Sequence, residues 1–280
     1  MYGAKLVKRT AMQQVISHLW KKRTECEVCI VDTVDVTKLR EWLRNKRRET
    51  GKNYTLFHAF LTIALRLLKE RGGMNRFVQD CALYEREEQT VSFVIKRQYR
   101  DDAEEALITL TGTPYDTIDT VFARTDPVIQ EEKSKERALD GVEDLMEKLT
   151  HMPFFLKKPF ASFVLFLDRK GLCPKAFIKD NPYYSSVIIS NLGSIGCKAI
   201  YHHLSNFGTN SLVMTIGTLH KEEHILARGE KVLRDVVDFS IITDERIVDG
   251  FYFVKSLKLI KKLAAHPEIL DRPLSEPSNL

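Results

Sequence analysis

Long apolar runs are missing from this 280-residue sequence. The nearest candidate, Phe160 to Leu167, is far shorter than the roughly 20 apolar residues that a membrane-spanning helix needs. The first ten residues also lack the apolar core of a signal peptide. We therefore expect a cytoplasmic protein with no membrane span.

Cysteines are few, and their number is odd: they stand at positions 26, 29, 81, 173 and 197. A scattered, odd set in a cytosolic chain argues against a disulfide framework. Cys26 and Cys29 form a C-x-x-C pair, but segment 25–34 has the pattern of a β-strand, in which residues three apart point to opposite faces. No second Cys/His pair completes a metal set. The sequence thus favours neither a redox dithiol nor a zinc site, and no metal is expected.

Positive and negative residues nearly balance, so the formal net charge is only +5. The densest basic runs, at 21–23 and 44–48, are typical of solvated helix faces, and no nucleic-acid partner is expected. Either run could attract an anionic cofactor that carries phosphates. With 44% hydrophobic and 29% charged residues, the composition is that of a soluble globular protein with a sizeable core.

Apolar periodicity predicts helices and strands that mix without strict βαβ alternation, which favours an α+β sandwich with a mixed β-sheet. The predicted helices cover 11–22, 37–50, 56–71, 116–149, 153–168 and 251–265. The predicted strands cover 26–34, 82–84, 89–96, 106–110, 187–191, 212–216 and 236–243. No linker divides the chain, so we expect a single domain over 1–270 and a loose C-terminal tail over 271–280.

The predicted helix at 153–168 is unusually apolar for a surface helix. A helix of this kind packs on the core, on another subunit or over the mouth of a pocket. The sequence leaves these three alternatives open.

Three motifs stand in a fixed order along the chain. The first is Asp35 to Leu39 (DVTKL), followed by the apolar helix at 56–70 and by Met74-Asn75; the second is Ile189 to Gly196 (ISNLGSIG); the third is Asp244 to Gly250 (DERIVDG). Together they resemble the catalytic domain of the 2-oxoacid dehydrogenase dihydrolipoyl acyltransferases, relatives of chloramphenicol acetyltransferase. The resemblance covers nearly the whole chain.

The resemblance implies a chloramphenicol acetyltransferase-like two-layer sandwich that forms homotrimers, with the active site in a channel between neighbouring subunits. It also implies transfer of an acyl group from a coenzyme A thioester or an acyl-lipoyl thioester to a thiol or another small acceptor. No lipoyl-bearing segment is found in this sequence, so no covalently attached lipoyl group is expected. The acyl donor or acceptor is then free, or is carried on a partner protein.

Catalytic roles carry over at only some of the matching positions. In the family, a histidine of an H-x-x-x-D-G motif takes the thiol proton, and a serine or threonine of the adjacent subunit donates to the oxyanion. Ser190 matches the oxyanion donor, Asp249 the orienting acid, and Gly250 the glycine that starts the last helix. At the position of the histidine this chain has Glu245.

Replacement of the histidine by a glutamate changes the energetics of proton transfer. Moving a proton from a thiol of pKa ~8.5 to an imidazole of pKa ~6.5 is uphill by about 2.7 kcal/mol, and to a carboxylate of pKa ~4.3 by about 6 kcal/mol. The difference of about 3 kcal/mol corresponds to roughly a hundredfold in rate. Burial can recover this loss, because desolvation raises the pKa of a carboxyl group.

Each candidate residue also has a purely structural interpretation. Glu245 could be a loop residue paired with Arg246 or with a neighbour, Asp249 a helix cap, and Ser190 a hydrogen-bonding partner at a strand end. Under this alternative the protein is a catalytically inactive trimer that serves as a scaffold, a regulator or a small-molecule binder.

Other histidines could replace the missing base or bind a metal. His202 and His203 follow the second motif in a polar turn, where a solvated pair is the simpler interpretation. His58 lies within the apolar helix and is expected to be a satisfied core histidine. His220 and His224 belong to a predicted hairpin without a convergent third ligand.

Overall fold

The computed structural model describes residues 3–96, 105–134, 151–178, 181–227 and 229–280. Its helices are α1 (Ala11–Leu19), α2 (Thr37–Thr50), α3 (Leu56–Glu70), α4 (Ile118–Ser134), α5 (Phe154–Lys170), α6 (Lys175–Ile178) and α7 (Gly250–Ala265). Its strands are β1 (Ala4–Leu6), β2 (Glu27–Asp35), β3 (Arg76–Gln79), β4 (Ala82–Arg86), β5 (Thr90–Lys96), β6 (Glu105–Thr111), β7 (Val187–Asn191), β8 (Leu212–Ile225) and β9 (Lys231–Asp244). The helix predicted at 116–149 is seen as α4, and its part from 135 onward lies outside the described residues.

A six-stranded sheet with the order β2-β9-β8-β7-β5-β6 forms one layer. Strand β7 runs parallel to both of its neighbours, whereas the other pairs are antiparallel. Helices α3 and α7 contribute to the core that covers one face of this sheet, and strands β1, β4 and β3 form a separate small sheet. The α+β sandwich with a mixed sheet is thereby confirmed.

Helix α3 is the central element of the core. Thr55 caps it, accepting from the backbone N–H of His58, and all eleven residues from 58 to 68 are buried. A helix that is buried on every side must be apolar nearly all round, as this one is. The periodicity predicted only one buried side, because it does not show that other helices and the C-terminal tail pack against the remaining sides of α3.

Strands β8 and β9 are longer than their predicted counterparts at 212–216 and 236–243. The additional residues form a hairpin whose pairing extends from Leu219–Val237 to Ile225–Lys231. This stretch of β8 contains charged side chains, which have low strand propensity, so the predicted strands end short of it, although a hairpin was expected around His220 and His224. Backbone pairing with β9 decides its conformation.

The apolar helix α5 shows most of its large side chains to solvent, with Phe154 91% and Phe155 73% exposed. Asp168 is its only buried residue. Packing of this helix on the core of its own chain is therefore wrong, while the other two alternatives stay open. Over the described ranges, neither α5 nor another helix has the length and apolarity required to cross a bilayer.

Residues 271–280, expected to be loose, lie against the body of the protein. The backbone N–H of Leu274 donates to the carbonyl of Asp116, and that of Ser275 donates to the carbonyl of Pro114. Proline and polar residues in this tail suggested disorder, but they only rule out regular secondary structure. The single domain over 1–270 stays a prediction.

Arg66, a fully buried arginine of α3, holds this tail. Its guanidinium donates to the carbonyls of Arg272 at 2.6 Å and Glu276 at 2.8 Å, and it forms an ion pair with Glu70. Glu70 in turn accepts from the hydroxyl of Ser278 at 2.5 Å. A buried cation is costly unless it is paired and hydrogen-bonded, and the tail supplies most of those partners.

We expect Arg66→Met to lower the free energy of unfolding by about 3 kcal/mol, because buried carbonyls and the Glu70 carboxylate lose their donor. Urea unfolding followed by circular dichroism measures this. The matched control is Arg76→Met, which breaks the partly exposed Arg76–Glu85 pair and should cost less than about 1 kcal/mol. Equal losses in the two variants would contradict the assigned role of Arg66.

Candidate active site

The DERIVDG motif forms the turn between β9 and α7. Asp244 and Arg246 are both buried, and the carboxylate of Asp244 accepts from Nε of Arg246 at 2.8 Å and from Nη2 at 2.6 Å. Arg246 Nη1 reaches the carbonyl of Trp20 at 2.9 Å. Burial acts to lower the pKa of Arg246, but the adjacent Asp244 outweighs it and the net pKa is raised. The Asp244–Arg246 pair thus fixes the turn, and the bond to Trp20 attaches it to the N-terminal segment.

Glu245 lies between these two residues and points the other way, into solvent. Its backbone N–H donates to the carbonyl of Cys26 at 2.9 Å, which fixes the main chain at this position. The suggested pairing of Glu245 with Arg246 is wrong, because Arg246 is bound to Asp244. Among the residues that the structure describes, no cation lies within 4 Å of the Glu245 carboxylate. The main chain of Glu245 is thus fixed, whereas its carboxylate has no ion-pair partner within the described residues.

Asp249 caps α7, accepting from the backbone N–H of Tyr252 at 2.8 Å. The capping interpretation is confirmed. A carboxylate at a helix N-terminus is stabilised by the unpaired N–H groups and by the helix dipole. Ile247 and Val248, both buried, fasten the turn to the core.

Ser190 is half-buried near the end of β7 and lies beside Thr215 of β8, which lies beside Ser240 of β9. Thr215 and Ser240 share a hydrogen bond of 2.7 Å, and both hydroxyl oxygens lie within hydrogen-bond distance of the carbonyl of Ile200 in the loop that crosses this face. No group in the described part of the chain hydrogen-bonds the hydroxyl of Ser190. That hydroxyl is available as a donor.

Ser190 and Glu245 are not brought together within one chain. Ser190 shares a row of the sheet with Ser240, two strands away, and Glu245 follows Ser240 by five positions. At about 3.4 Å per residue and about 4.8 Å per strand, the two side chains are separated by roughly 20 Å. A site that uses both residues needs a second copy of the chain.

The glycines of the ISNLGSIG motif allow a close approach between the turn after β7 and strand β8. A Cβ on Gly193 would meet the carbonyl oxygen of Gly217 at 2.3 Å, and a Cβ on Gly217 would meet the amide of Ala199 at 2.4 Å. Backbone atoms cannot yield at such distances. These glycines therefore fix the turn that follows Ser190 against β8, where Asn191, Gly193 and Gly217 line a cavity.

That cavity has a volume of about 370 Å³ and its polar lining includes Thr55, His58, Asp126, Asn191 and Ser194. His58 Nδ1 is satisfied by Thr55, but Nε2 is buried without a hydrogen-bond partner and lies 3.9 Å from Asp126 Oδ1. Burial lowers the pKa of His58, and Asp126 opposes this effect. His58 was expected to be a core histidine with its hydrogen-bonding groups paired, but only one of its two ring nitrogens has a partner.

The remaining histidines are exposed or half-exposed. His202 and His203 stack with ring centroids 5.2 Å apart and face solvent. His220 Nε2 lies 3.4 Å and His224 Nε2 lies 3.5 Å from the carboxylate of Glu222 on the predicted hairpin. Within the described ranges, no group of three or more metal-ligating side chains is placed to hold an ion.

All five cysteines carry free thiols, so Cys26 and Cys29 are not paired. Cys26 is 1% exposed, and burial raises the pKa of its thiol to about 11. A thiol this poorly ionised is a weak nucleophile and a weak metal ligand.

The fold and the motifs were compared with known proteins. The model of the 2-oxoacid dehydrogenases acyltransferase (catalytic domain) family matches residues 183–270, which include the second and third motifs. A probable dihydrolipoamide acetyltransferase from Listeria monocytogenes matches with a TM-score of 0.60 at 15% identity, over 100% of this chain and 99% of that one. No curated protein matches the chain.

Two further structures are also similar to the chain. Dihydrolipoamide acetyltransferase from Azotobacter vinelandii, studied for the roles of a serine, a histidine and an asparagine in its catalytic mechanism, gives a TM-score of 0.62 at 14% identity over 94% of this chain and 93% of that one. A chloramphenicol acetyltransferase gives 0.55 at 12% identity over 93% and 99%.

This is the chloramphenicol acetyltransferase-like fold. The resemblance predicted from the three motifs is confirmed: for the fold along the whole chain, and for the acyltransferase family over residues 183–270. In this acyltransferase fold the Asp244–Arg246 pair was missed by the sequence interpretation. A D-x-R spacing at a strand end is a signal that could have revealed it, whereas nothing in the sequence pointed to the Trp20 carbonyl.

We expect Arg246→Met to lower the free energy of unfolding by about 3 kcal/mol, because the buried Asp244 carboxylate is left without its partner. Glu245→Gln, one position away and exposed, should change it by less than about 0.5 kcal/mol. Urea denaturation of both variants checks this. A loss in Glu245→Gln comparable to that in Arg246→Met would contradict the assignment of the turn to the buried pair.

The lowered pKa of His58 predicts a pH dependence of stability. Because the unfolded chain binds a proton at His58 more readily than the folded one, the contribution of neutral His58 is present above pH ~6.5 and is lost as the pH falls below that value. His58→Gln keeps a side chain suited to the capping box but does not titrate. Between pH 7.5 and 5.5, urea unfolding should show a smaller loss for His58→Gln than for the wild type, whereas the control His202→Gln should follow the wild type.

Proposed function

We propose that this protein is an acyltransferase that moves an acyl group from a coenzyme A thioester, or an acyl-lipoyl thioester, to a thiol or another small acceptor. Glu245 is the general base, Ser190 the oxyanion donor and Asp249 the orienting acid. The observation that carries the proposal is the fixed turn with a free carboxylate at the position where the family has its histidine. In the Azotobacter enzyme the histidine and the asparagine are four positions apart, as are Glu245 and Asp249 here.

In the proposed reaction, Glu245 and Ser190 act at different steps. The Glu245 carboxylate accepts the proton of the attacking thiol, the thiolate adds to the thioester carbonyl, and the hydroxyl of Ser190 donates to the resulting oxyanion. One such donor contributes about 3 kcal/mol of transition-state stabilisation. The leaving thiol then takes back the proton from Glu245, so the base is regenerated.

The site lies between copies of the chain. Ser190 and Glu245 are roughly 20 Å apart in one chain, so each must act with its counterpart from a neighbour, in the homotrimer that the family resemblance implies. Contact with a neighbour also removes water from the Glu245 carboxylate, and desolvation is the effect that makes a carboxylate a competent base. No metal is assigned to this chemistry, and an acyl-carrying partner protein is a possible source of the donor.

The second candidate is a catalytically inactive trimer of the same fold. The exposure of Glu245 in the single chain favours it, because a fully hydrated carboxylate is a poor base for a thiol. The two functions differ in the response of thiol release to substitutions at position 245.

We expect a panel of acyl-CoA donors with dihydrolipoamide as acceptor to give enzyme-dependent thiol release, and Glu245→Gln to lower kcat/KM at least tenfold. Glu245→His should raise kcat at neutral pH by up to about a hundredfold, since the imidazole lies closer in pKa to the thiol. The matched control is Glu223→Gln, which removes an exposed carboxylate paired with Lys231 on the hairpin and should leave turnover unchanged. Thiol release that stays at background in the wild type and in Glu245→His would reject the acyltransferase in favour of the inactive trimer.

A further inference from the structure

A second cavity, here called the Arg23 cavity, lies behind the Asp244–Arg246 turn and has a volume of about 250 Å³. Its cationic lining consists of Lys21, Lys22, Arg23, Arg169 and Arg246. Its acidic lining consists of Asp80 and Asp168. The lining thus carries a net charge of +3, five cations less two carboxylates.

Both carboxylates of the lining already have hydrogen-bond or ion-pair partners. Asp168, 1% exposed, accepts from the hydroxyl of Tyr184 at 2.7 Å and from the backbone N–H of Gly208 at 2.9 Å. Asp80 forms an ion pair with Lys170 at 3.0 Å. Asp80 is thus paired with a cation outside the cavity lining, and the charge of Asp168 acts on Arg23 without a direct ion pair.

Arg23 is 5% exposed and donates only to backbone carbonyls, those of Ser205 at 3.1 Å and Val78 at 3.2 Å. Its Nε–H is buried without a hydrogen-bond partner. In the described part of the chain no carboxylate lies within 4 Å of this guanidinium, although a buried charge normally has such a partner. Burial lowers the pKa of Arg23, with Asp244 and Asp168 opposing this effect, and the charge of Arg23 adds to burial in lowering the pKa of Arg86 to about 9.

The other cations differ in how far they are neutralised. Arg246 is bound to Asp244, and Lys22 lies 3.6 Å from Glu25 at the surface. For Lys21 and Arg169, no carboxylate of the described residues comes within 4 Å. Within the described residues, the lining cations without an ion pair are therefore Arg23 and the two exposed side chains of Lys21 and Arg169, which can close over a ligand.

We propose that the Arg23 cavity binds a phosphate group, either inorganic phosphate or the phosphate of a small ester. A phosphate carries nearly two negative charges at pH 7, which suits these three cations without an ion pair better than a single carboxylate does. The guanidinium of Arg23 has five N–H donors, of which its carbonyl contacts use two, and its planar fork fits phosphate oxygens. The volume holds one phosphate with several waters or a small ester.

Calorimetric titration of the whole chain tests this site, with inorganic phosphate and glycerol phosphate as separate probes and KCl at matched ionic strength as the blank. We expect saturable binding of at least one probe, and at least a tenfold loss of affinity in Arg23→Gln. The matched control Lys231→Gln removes the same charge from the distant hairpin and should change the affinity less than twofold. Tighter binding of the ester than of inorganic phosphate would identify an ester as the ligand.

If Arg23→Gln does not fold, the double variant Lys21→Gln/Arg169→Gln tests the same proposal at exposed positions. It should weaken binding at least fivefold and lower the salt dependence of the affinity, since fewer cations contact the anion. Heats equal to the KCl blank, unchanged affinity in the double variant, or tighter binding of succinate than of either phosphate probe would overturn the proposal. Thiol release is not a readout here, so failure of the acyltransferase proposal would leave this result unaffected.

Discussion

The buried ion pair between Asp244 and Arg246 is the interaction on which the candidate site depends. It joins the end of β9 to the carbonyl of Trp20, and so holds the turn against the N-terminal segment. A buried pair of this kind adds little net stability compared with apolar packing, but it is costly to break and it fixes geometry. Because the pair occupies the positions on either side of Glu245, that side chain is forced outward. The same pair places Arg246 in the wall of the Arg23 cavity.

The two proposed sites therefore lie on opposite sides of this turn. On the side that faces solvent, the Glu245 carboxylate needs desolvation to act as a base. On the buried side, the Arg23 guanidinium has no carboxylate partner and is proposed to bind an anion. Ser190 lies too far from Glu245 in the sheet to complete a site within one chain. The proposed chemistry therefore requires assembly of several copies, whereas phosphate binding at Arg23 requires a single chain.

Much of the fold could be predicted from the sequence, because the relevant signals are local. The apolar periodicity of α3, the strand motif at Ser190 and the cap at Asp249 each depend on residues a few positions apart. The errors arose where distant residues decide the outcome. The tail at 271–280 is ordered by Arg66 of α3, and the length of β8 beyond Leu219 is set by its pairing with β9.

By itself the sequence determined the α+β class, the acyltransferase-like motifs and the replacement of a histidine by Glu245, since each is a matter of residue type and spacing. Only the tertiary structure decided which partner Arg246 takes, that Glu245 is exposed, and that Arg23 is buried without a carboxylate. The physical reason is that burial and ion pairing depend on which distant segments meet. For a charged group, those segments determine whether it is hydrated, neutralised or left to bind a ligand.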